Sequence, residues 1–254
     1  MVSDRRWGSN VRRFHSRIDA YLCVSDSVRR SMQVTYPQIG DKCVTAYNLL
    51  DARAMRAMAD AGANPFDGDA DGIRVLTVCR LQEVSKGLLR MVEVHRCLLD
   101  AGVPHVWHVL GDGSDRAMLE RAIEAHGVAA SFRLHGAVAN PFPYYRDADI
   151  VAVLSRYEGL CGVVNEARVL ERPVIATRFA GIEEQIENGV NGLIVDQDVD
   201  AICAGLASLI RDAGLRQRLA QGGYPHELLD DDAKVDALLR LIGTEVPGEE
   251  RVGQ

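Results

Sequence analysis

Short apolar runs alternate with helical spacing along most of the chain. Residues 73–79, 106–110, 132–135, 149–154, 173–176 and 192–195 read as strands. Between them, residues 87–99, 115–126, 162–170 and 199–219 place apolar side chains at helical intervals, and 182–187 reads as a short helix. Strands that are apolar throughout and separated by helices predict a parallel sheet covered on both faces. With right-handed crossovers, this is a Rossmann-like, doubly wound α/β domain. Such sheets bind ligands at the carboxyl ends of their strands. Chemistry is therefore expected just after Cys79, Leu110, His135, Leu154 and Ala176.

The first 72 residues break the rhythm. They offer two strands (18–24 and 42–46), two helices (26–32 and 52–61) and a turn-rich acidic stretch over 64–72 that reads as a linker. Two strands are too few for an independent sheet domain, so this is an incomplete N-terminal α/β segment. Three regions follow: 1–72 as the remnant and linker, 73–222 as the Rossmann-like domain, and 223–254 as a C-terminal helix (230–242) with a frayed tail from 248.

Composition narrows the class. The 254 residues are 47% hydrophobic and 26% charged, with a formal charge of −7, as in an ordinary soluble globular protein that is not a general nucleic-acid binder. No apolar run approaches the roughly 18 residues of a membrane span. Met1–Arg6 precedes no apolar h-region, so no secretory signal is expected. The six cysteines form no C-x-x-C pair, which gives no support to a zinc ribbon or a thioredoxin-type motif and suits buried thiols in a cytosolic protein. His105 and His108 lie three apart on a strand, face opposite sides and cannot share a metal.

The strongest local feature runs from Glu158 to Glu166, after the fourth strand and into a helix. Its glycines bring backbone N–H groups close to a ligand, and a helix N-terminus favours an anion. Glu166 stands where it could accept from sugar or ribose hydroxyls; the spacing equally suits a solvated loop Glu158 and a helix-surface Glu166. Arg80 and Lys86 follow the first strand and could clamp a diphosphate, the arginine in bidentate fashion. Lys86, read as lying near a helix start, opposes the macrodipole and calls for an anionic partner. The loop Gly111-Asp112-Gly113 is either a ligand approach or a tight strand-to-helix turn. His135 ends a strand, as a structural histidine or a ligand contact. Arg5, Arg6, Arg12, Arg13 and Arg17 either touch an anionic membrane or form a solvated helix face.

Taken in order, these pieces resemble one family. The stations are Val78-Cys79-Arg80-Leu81 with Lys86-Gly87, then Leu110-Gly111-Asp112-Gly113, Phe132 to Gly136, Ala148-Asp149, Ser155 through Glu166-Ala167, Pro173 to Thr177, Gly181 to Glu184 and Glu187 to Leu193. The chain resembles the retaining, nucleotide-sugar-dependent glycosyltransferases of family 4 (glycosyl transferases group 1), of the two-Rossmann-domain GT-B type. The likeness covers about residues 73–222, with Glu158 and Glu166 as the E-x7-E element. Residues 19–25 look like the last strand of the family's N-terminal domain and Tyr47 to Asp51 like its interdomain segment.

The resemblance implies a C-terminal donor-binding half. Arg80 and Lys86 would bind the donor diphosphate and stabilise the leaving nucleotide, and Glu158 would contact the transferred sugar. Gly159, Leu160, Cys161, Gly162 and Val163 would lend backbone N–H groups, Glu166 would hold the ribose, and His135 to Val138 would border the base. Gly111 and Gly113 would border the donor. The donor would be UDP- or GDP-linked, with no metal and no further cofactor. The acceptor would be a glycan or a lipid-linked glycan in surface polysaccharide or glycolipid assembly, in the cytoplasm or at the inner membrane face. Leu160 and Cys161 stand where the family often has an aromatic and then Gly or Pro, and Glu171 where glycine is common. The missing acceptor-side half leaves two readings: an enzyme completed by a partner chain or by self-association, or a non-catalytic nucleotide-sugar-binding subunit or inactive remnant.

Overall fold

Apolar runs become strands wherever both faces can be covered. In the computed structural model, which describes residues 5–67 and 72–243 (5–7 by backbone alone), the elements in chain order are as follows. Helix α1 is Arg5–Phe14, β1 Tyr21–Cys23, α2 Asp26–Thr35, β2 Cys43–Thr45, α3 Ala52–Asp60 and β3 Ile73–Val78. Next come α4 Glu83–Lys86, α5 Leu88–Asp100, β4 His105–Leu110, α6 Arg116–Ala125, β5 Phe132–Gly136, α7 Phe142–Asp147 and β6 Ile150–Val153. The chain continues with α8 Gly162–Val169, β7 Val174–Thr177, β8 Leu193–Val195, α9 Val199–Arg211, α10 Ala213–Gln221 and α11 Asp231–Leu241. The described residues form two compact units, one from 52–67 and 72–224, the other from 5–51 and 225–243.

The larger unit is the expected doubly wound domain. Its six strands are all parallel, in the order β5-β4-β3-β6-β7-β8. Alternate residues serve opposite faces. Val75, Trp107, Val109, Ile150, Ala152 and Ile175 pack under α5, α6 and α9. Leu76, Leu110, Val151, Val153, Val174 and Ala176 pack under α7 and α8. The chain runs outward from β3 to β5 and then returns to lay β6 beside β3, so the switch point lies between β3 and β6.

Several element boundaries differ from the sequence expectation. Residues 52–67 belong to the larger unit: Ala59 is buried against the face that carries α7 and α8, and Arg146 Nη1 donates to the carbonyls of Ala59 and Gly62 at 2.5 and 3.0 Å. Phe66, read as linker, is 1% exposed and sits edge-on to Tyr144. The expected helix over 199–219 breaks at Asp212, whose carboxylate accepts from Leu215 N at 2.8 Å and caps α10. The expected helix over 182–187 is a 3-10 turn, Ile182–Glu184. Residues 68–71 of the linker and the tail from 248 lie outside the described residues.

The smaller unit holds the two-stranded parallel sheet β1-β2 beside α2. Asp231 at the start of α11 accepts from Leu50 N at 2.7 and 2.8 Å. Lys234 Nζ donates to the carbonyls of Asn48 and Leu228, both at 2.9 Å, and to Asp231. Residues 48–50 are thus pinned to the C-terminal helix. Arg12, Arg13 and Arg17 are exposed. Among the described residues, no helix is long and apolar enough to cross a membrane.

His105 and His108 do face opposite sides, and His105 belongs to a buried relay. Its Nδ1 lies 2.8 Å from Val103 O, which can only accept, so Nδ1 carries the proton. His105 Nε2 then accepts from His95 Nδ1 at 2.8 Å, and His95 Nε2 accepts from Ser131 Oγ at 2.9 Å. The two neutral tautomers are thereby fixed.

Two predictions follow from this packing. Burial pushes the His95 imidazole down to about 3. The unfolded chain therefore binds a proton that the folded chain refuses between about pH 6.5 and 3, and stability is lost as pH falls through that window. Urea unfolding should show wild type losing roughly 2–3 kcal/mol more than His95→Gln between about pH 6.5 and 4.5, and equal losses would refute the assignment. Exposed Glu171 ends α8 in the left-handed region at φ 55°. Glu171→Gly should raise stability by about 0.5–1 kcal/mol, the relief of that conformation less glycine's entropy cost. A lower melting temperature would show that the Glu171 side chain contributes more than its backbone costs.

Candidate functional site

The strands' carboxyl ends at the switch point open into a cleft of about 700 Å³. Its walls are the loops after β3 (Cys79, Arg80, Lys86), after β4 (Gly111, Asp112), after β5 (Ala137, Val138) and after β6 (Tyr157, Glu158, Gly159), with Val163 and Glu166 from α8.

Backbone pairing holds these loops together. Cys79 N donates to Leu110 O, and Leu81 N to Asp112 O, both at 3.0 Å. This contact explains the glycines. Gly111 has φ 128°, and a Cβ there would lie 1.8 Å from Cys79 O. A Cβ on Gly113 would lie 2.4 Å from Leu81 O. The tight-turn reading of this loop therefore holds for both. Gly111 also lines the cleft, whereas Gly113 does not.

Lys86 is the last residue of α4, not the start of a helix: left-handed Gly87 (φ 63°) separates α4 from α5. Its anionic partner is the Glu158 carboxylate. Glu158 Oε1 also accepts from Ser155 Oγ at 2.6 Å. The two charged side chains are 20% and 16% exposed, so the pair is largely withdrawn from water yet lines the cleft. The Arg80 guanidinium is exposed and has no protein partner among the described residues. It is a cation at the mouth of the cleft, open to an anion.

Glu166 lies one turn into α8 and accepts from Tyr145 Oη at 2.5 Å. Burial, reinforced by the Glu166 charge, holds the Tyr145 hydroxyl well above the ordinary tyrosine range. Tyr145 is thus a permanent donor that fixes one oxygen of Glu166. The run Pro143-Tyr144-Tyr145 ahead of a strand gives no sign of this role, nor does Ser155 of its bond to Glu158.

The remaining predicted residues stand apart from the cleft wall. His135 stacks on His108 (centroids 5.2 Å apart), with its Nε2 3.0 Å from His108 Nδ1, and presents an edge to Tyr144. Its successors Ala137 and Val138 reach the cleft. Leu160 and Gly162 do not line it. Cys161 is buried, and its backbone N–H and carbonyl are both bonded to Gln185. Burial pushes the Cys161 thiol up to about 12 and that of Cys79 up to about 11, so both stay protonated. Among the described residues, no group of three or more His, Cys, Asp or Glu side chains could hold a metal ion.

The site's chemistry is thus two cations, Arg80 and Lys86, and three carboxylates, Asp112, Glu158 and Glu166, around a strand-end crevice. The profile of the family described as "Glycosyl transferases group 1" matches residues 72–212. The lipopolysaccharide core biosynthesis glycosyltransferase LpsE of Rhizobium meliloti is 31% identical over 184 residues, covering 70% of this chain and 52% of LpsE. Alpha-D-kanosaminyltransferase of Streptomyces kanamyceticus is 29% identical over 154 residues, covering 59% of this chain and 40% of that enzyme. The chain therefore spans about half the length, or less, of these relatives. In structure, HepE of Anabaena, solved with UDP and glucose, matches with a TM-score of 0.81 at 17% identity, over 96% of this chain and 68% of HepE.

Proposed function

The chain belongs to the glycosyl transferases group 1 family, and on that premise we propose that its cleft is the nucleotide-sugar site of a retaining, family 4 glycosyltransferase. One observation carries the reading: a free arginine and a lysine–glutamate pair share a crevice at the switch point with a second, oriented carboxylate. Arg80 and Lys86 take the diphosphate and the charge that develops on the leaving nucleotide. With two side-chain cations there, the reading requires no divalent metal. Glu158, beside Lys86, meets the transferred sugar. Glu166 accepts from the ribose hydroxyls with its orientation set by Tyr145, and Val138 borders the base. Gly159 and Val163, the residues of this stretch that line the cleft, supply backbone donors.

The name of LpsE and the UDP and glucose bound to HepE support a UDP-linked donor and a glycan or lipid-linked acceptor in surface polysaccharide or glycolipid assembly. The reaction belongs in the cytoplasm or at the inner membrane face, where exposed Arg12, Arg13 and Arg17 suit an anionic surface. The acceptor side is completed by sequence beyond the donor half, in the same polypeptide or another.

Thermal unfolding of the chain with UDP, GDP and ADP and their sugar conjugates tests this. A ligand at about 100 times its dissociation constant adds about 2.7 kcal/mol. UDP compounds should stabilise selectively. Glu166→Ala should weaken UDP at least about tenfold, the loss of charge-assisted hydrogen bonds worth about 1.5–3 kcal/mol. Glu158→Ala should keep UDP but lose the advantage of the sugar conjugate. Stabilisation by none of these compounds overturns the donor-site reading, and unchanged UDP affinity in Glu166→Ala overturns the ribose assignment.

A further inference from the structure

Between the two carboxylates, beneath the start of α8, lies a buried polar cluster that the donor-site chemistry does not use. Gln185 follows the 3-10 turn and is fully buried. Its Oε1 accepts from Cys161 N at 3.0 Å, and its Nε2 donates back to Cys161 O at 2.8 Å. The second Nε2 hydrogen goes to Asn165 Oδ1, which also accepts from Tyr224 Oη. Asn165 is 1% exposed, and burial raises the Tyr224 hydroxyl above its ordinary range. Buried Arg168 then grips the segment leading to Tyr224, donating to the carbonyls of Leu219 at 2.8 Å and Gly223 at 2.6 Å.

An apolar side chain at 185 would fill the same space. It could not pair with both backbone polar groups of Cys161, and the Cys161 N–H would be left buried without an acceptor. Cys161 is where the turn from Glu158 becomes the helix of Glu166, and its carbonyl already accepts from Val164 N at 3.1 Å. These two groups belong to the peptide units on either side of the Cys161 Cα, and fixing both fixes how the Gly159–Leu160 turn enters α8. It therefore fixes the register between Glu158 and Glu166. We propose that Gln185, backed by Asn165 and Tyr224, is a positioning residue for the donor site: its carboxamide holds the Cys161 backbone on both sides of its Cα so that the two carboxylates meet one ligand together. This rests on the donor-site reading above.

The test uses the full chain as wild type, Gln185→Met, Tyr224→Phe and the core control Ile202→Val. It reads amide hydrogen exchange without ligand and affinity for UDP, GDP and ADP. In Gln185→Met, the amides from Cys161 to Asn165 should exchange at least about tenfold faster while those of β3 and β7 stay unchanged. Its nucleotide affinity should fall about tenfold, the scale of one lost buried hydrogen-bond set. Tyr224→Phe removes a single hydroxyl and should lose about threefold. It keeps the test decisive if Gln185→Met does not fold. Ile202→Val should lower the melting temperature without changing affinity. A wild type that binds nucleotide together with variants that bind equally well overturns the inference alone, as does wild-type exchange at Cys161 in Gln185→Met. A wild type that binds none of the three nucleotides overturns the donor-site reading, and this inference with it.

Discussion

A parallel sheet whose chain turns back at its middle strands leaves a gap that no helix fills, and this chain is arranged around that gap. The connection leaving β3 covers one face with α5, and the one leaving β6 covers the other with α8. The two exits therefore part, and their loops must be tied by something other than a shared helix. Backbone pairing does this on one side, between Cys79 and Leu110 and between Leu81 and Asp112. Across the gap, Arg156 N donates to Ser85 O at 2.7 Å, and Arg156 Nη2 reaches Glu83 at 2.8 Å. Such close approach leaves no room for a Cβ at Gly111 or Gly113. The glycines are thus a consequence of the crevice's closure before any ligand is considered.

The charges in the crevice follow the same logic. A lysine and a carboxylate drawn partly out of water lose hydration, and their attraction offsets that loss only if the remaining bonding positions are filled. Ser155 fills one on Glu158. An incoming anion then finds one cation held in place by a carboxylate and another, Arg80, still in water. Glu166 is prepared differently. Its partner Tyr145 cannot ionise in its buried setting and so always donates. The carboxylate is oriented without being neutralised, which leaves its charge available to hydroxyl donors.

The sheet, its two covered faces and four charged residues of the crevice (Arg80, Lys86, Glu158 and Glu166) were legible in the sequence, the sheet from local pattern and the charged residues from their place in the family's order of motifs. Continuous apolar runs say that both strand faces are buried, and a cation after a strand end says where it points. What escaped reading depends on pairs far apart in the chain. Tyr145 meets Glu166 across 21 positions, and Gln185 meets Cys161 across 24. No periodicity marks a buried amide that answers a distant peptide. Helix breaks escaped for another reason: apolar spacing runs straight through Asp212, and only its capping bond reveals that a new helix begins. Phe66 reads as linker because its neighbours are turn formers, yet one aromatic side chain is enough to anchor the segment to the sheet face.

Polar side chains recur at the strands' carboxyl edge, buried in the case of Arg90 and half-buried in that of Gln197. Arg90 sends Nη2 to Leu154 O at 2.6 Å and Nη1 to Gln197 O at 2.6 Å. Gln197 in turn donates to the carbonyls of Arg178 at 2.9 Å and Arg156 at 3.1 Å. Two side chains thereby gather the exits of β6, β7 and β8. Carbonyls at strand ends have lost their ladder partners, and a hydrophobic plug would leave the buried Leu154 carbonyl unsatisfied at a cost of about 1–3 kcal/mol. A hydrophobic plug also tolerates sliding, whereas a guanidinium bonded to named carbonyls fixes direction as well as distance. The loop carrying Glu158 leaves β6 between Leu154 and Arg156, so Arg90 and Gln197 hold the backbone on which that carboxylate stands, and Ser155 and Lys86 hold the carboxylate itself. Pre-organisation of this kind must precede the ligand, because a crevice that assembled only around its substrate would use binding energy to order the loops.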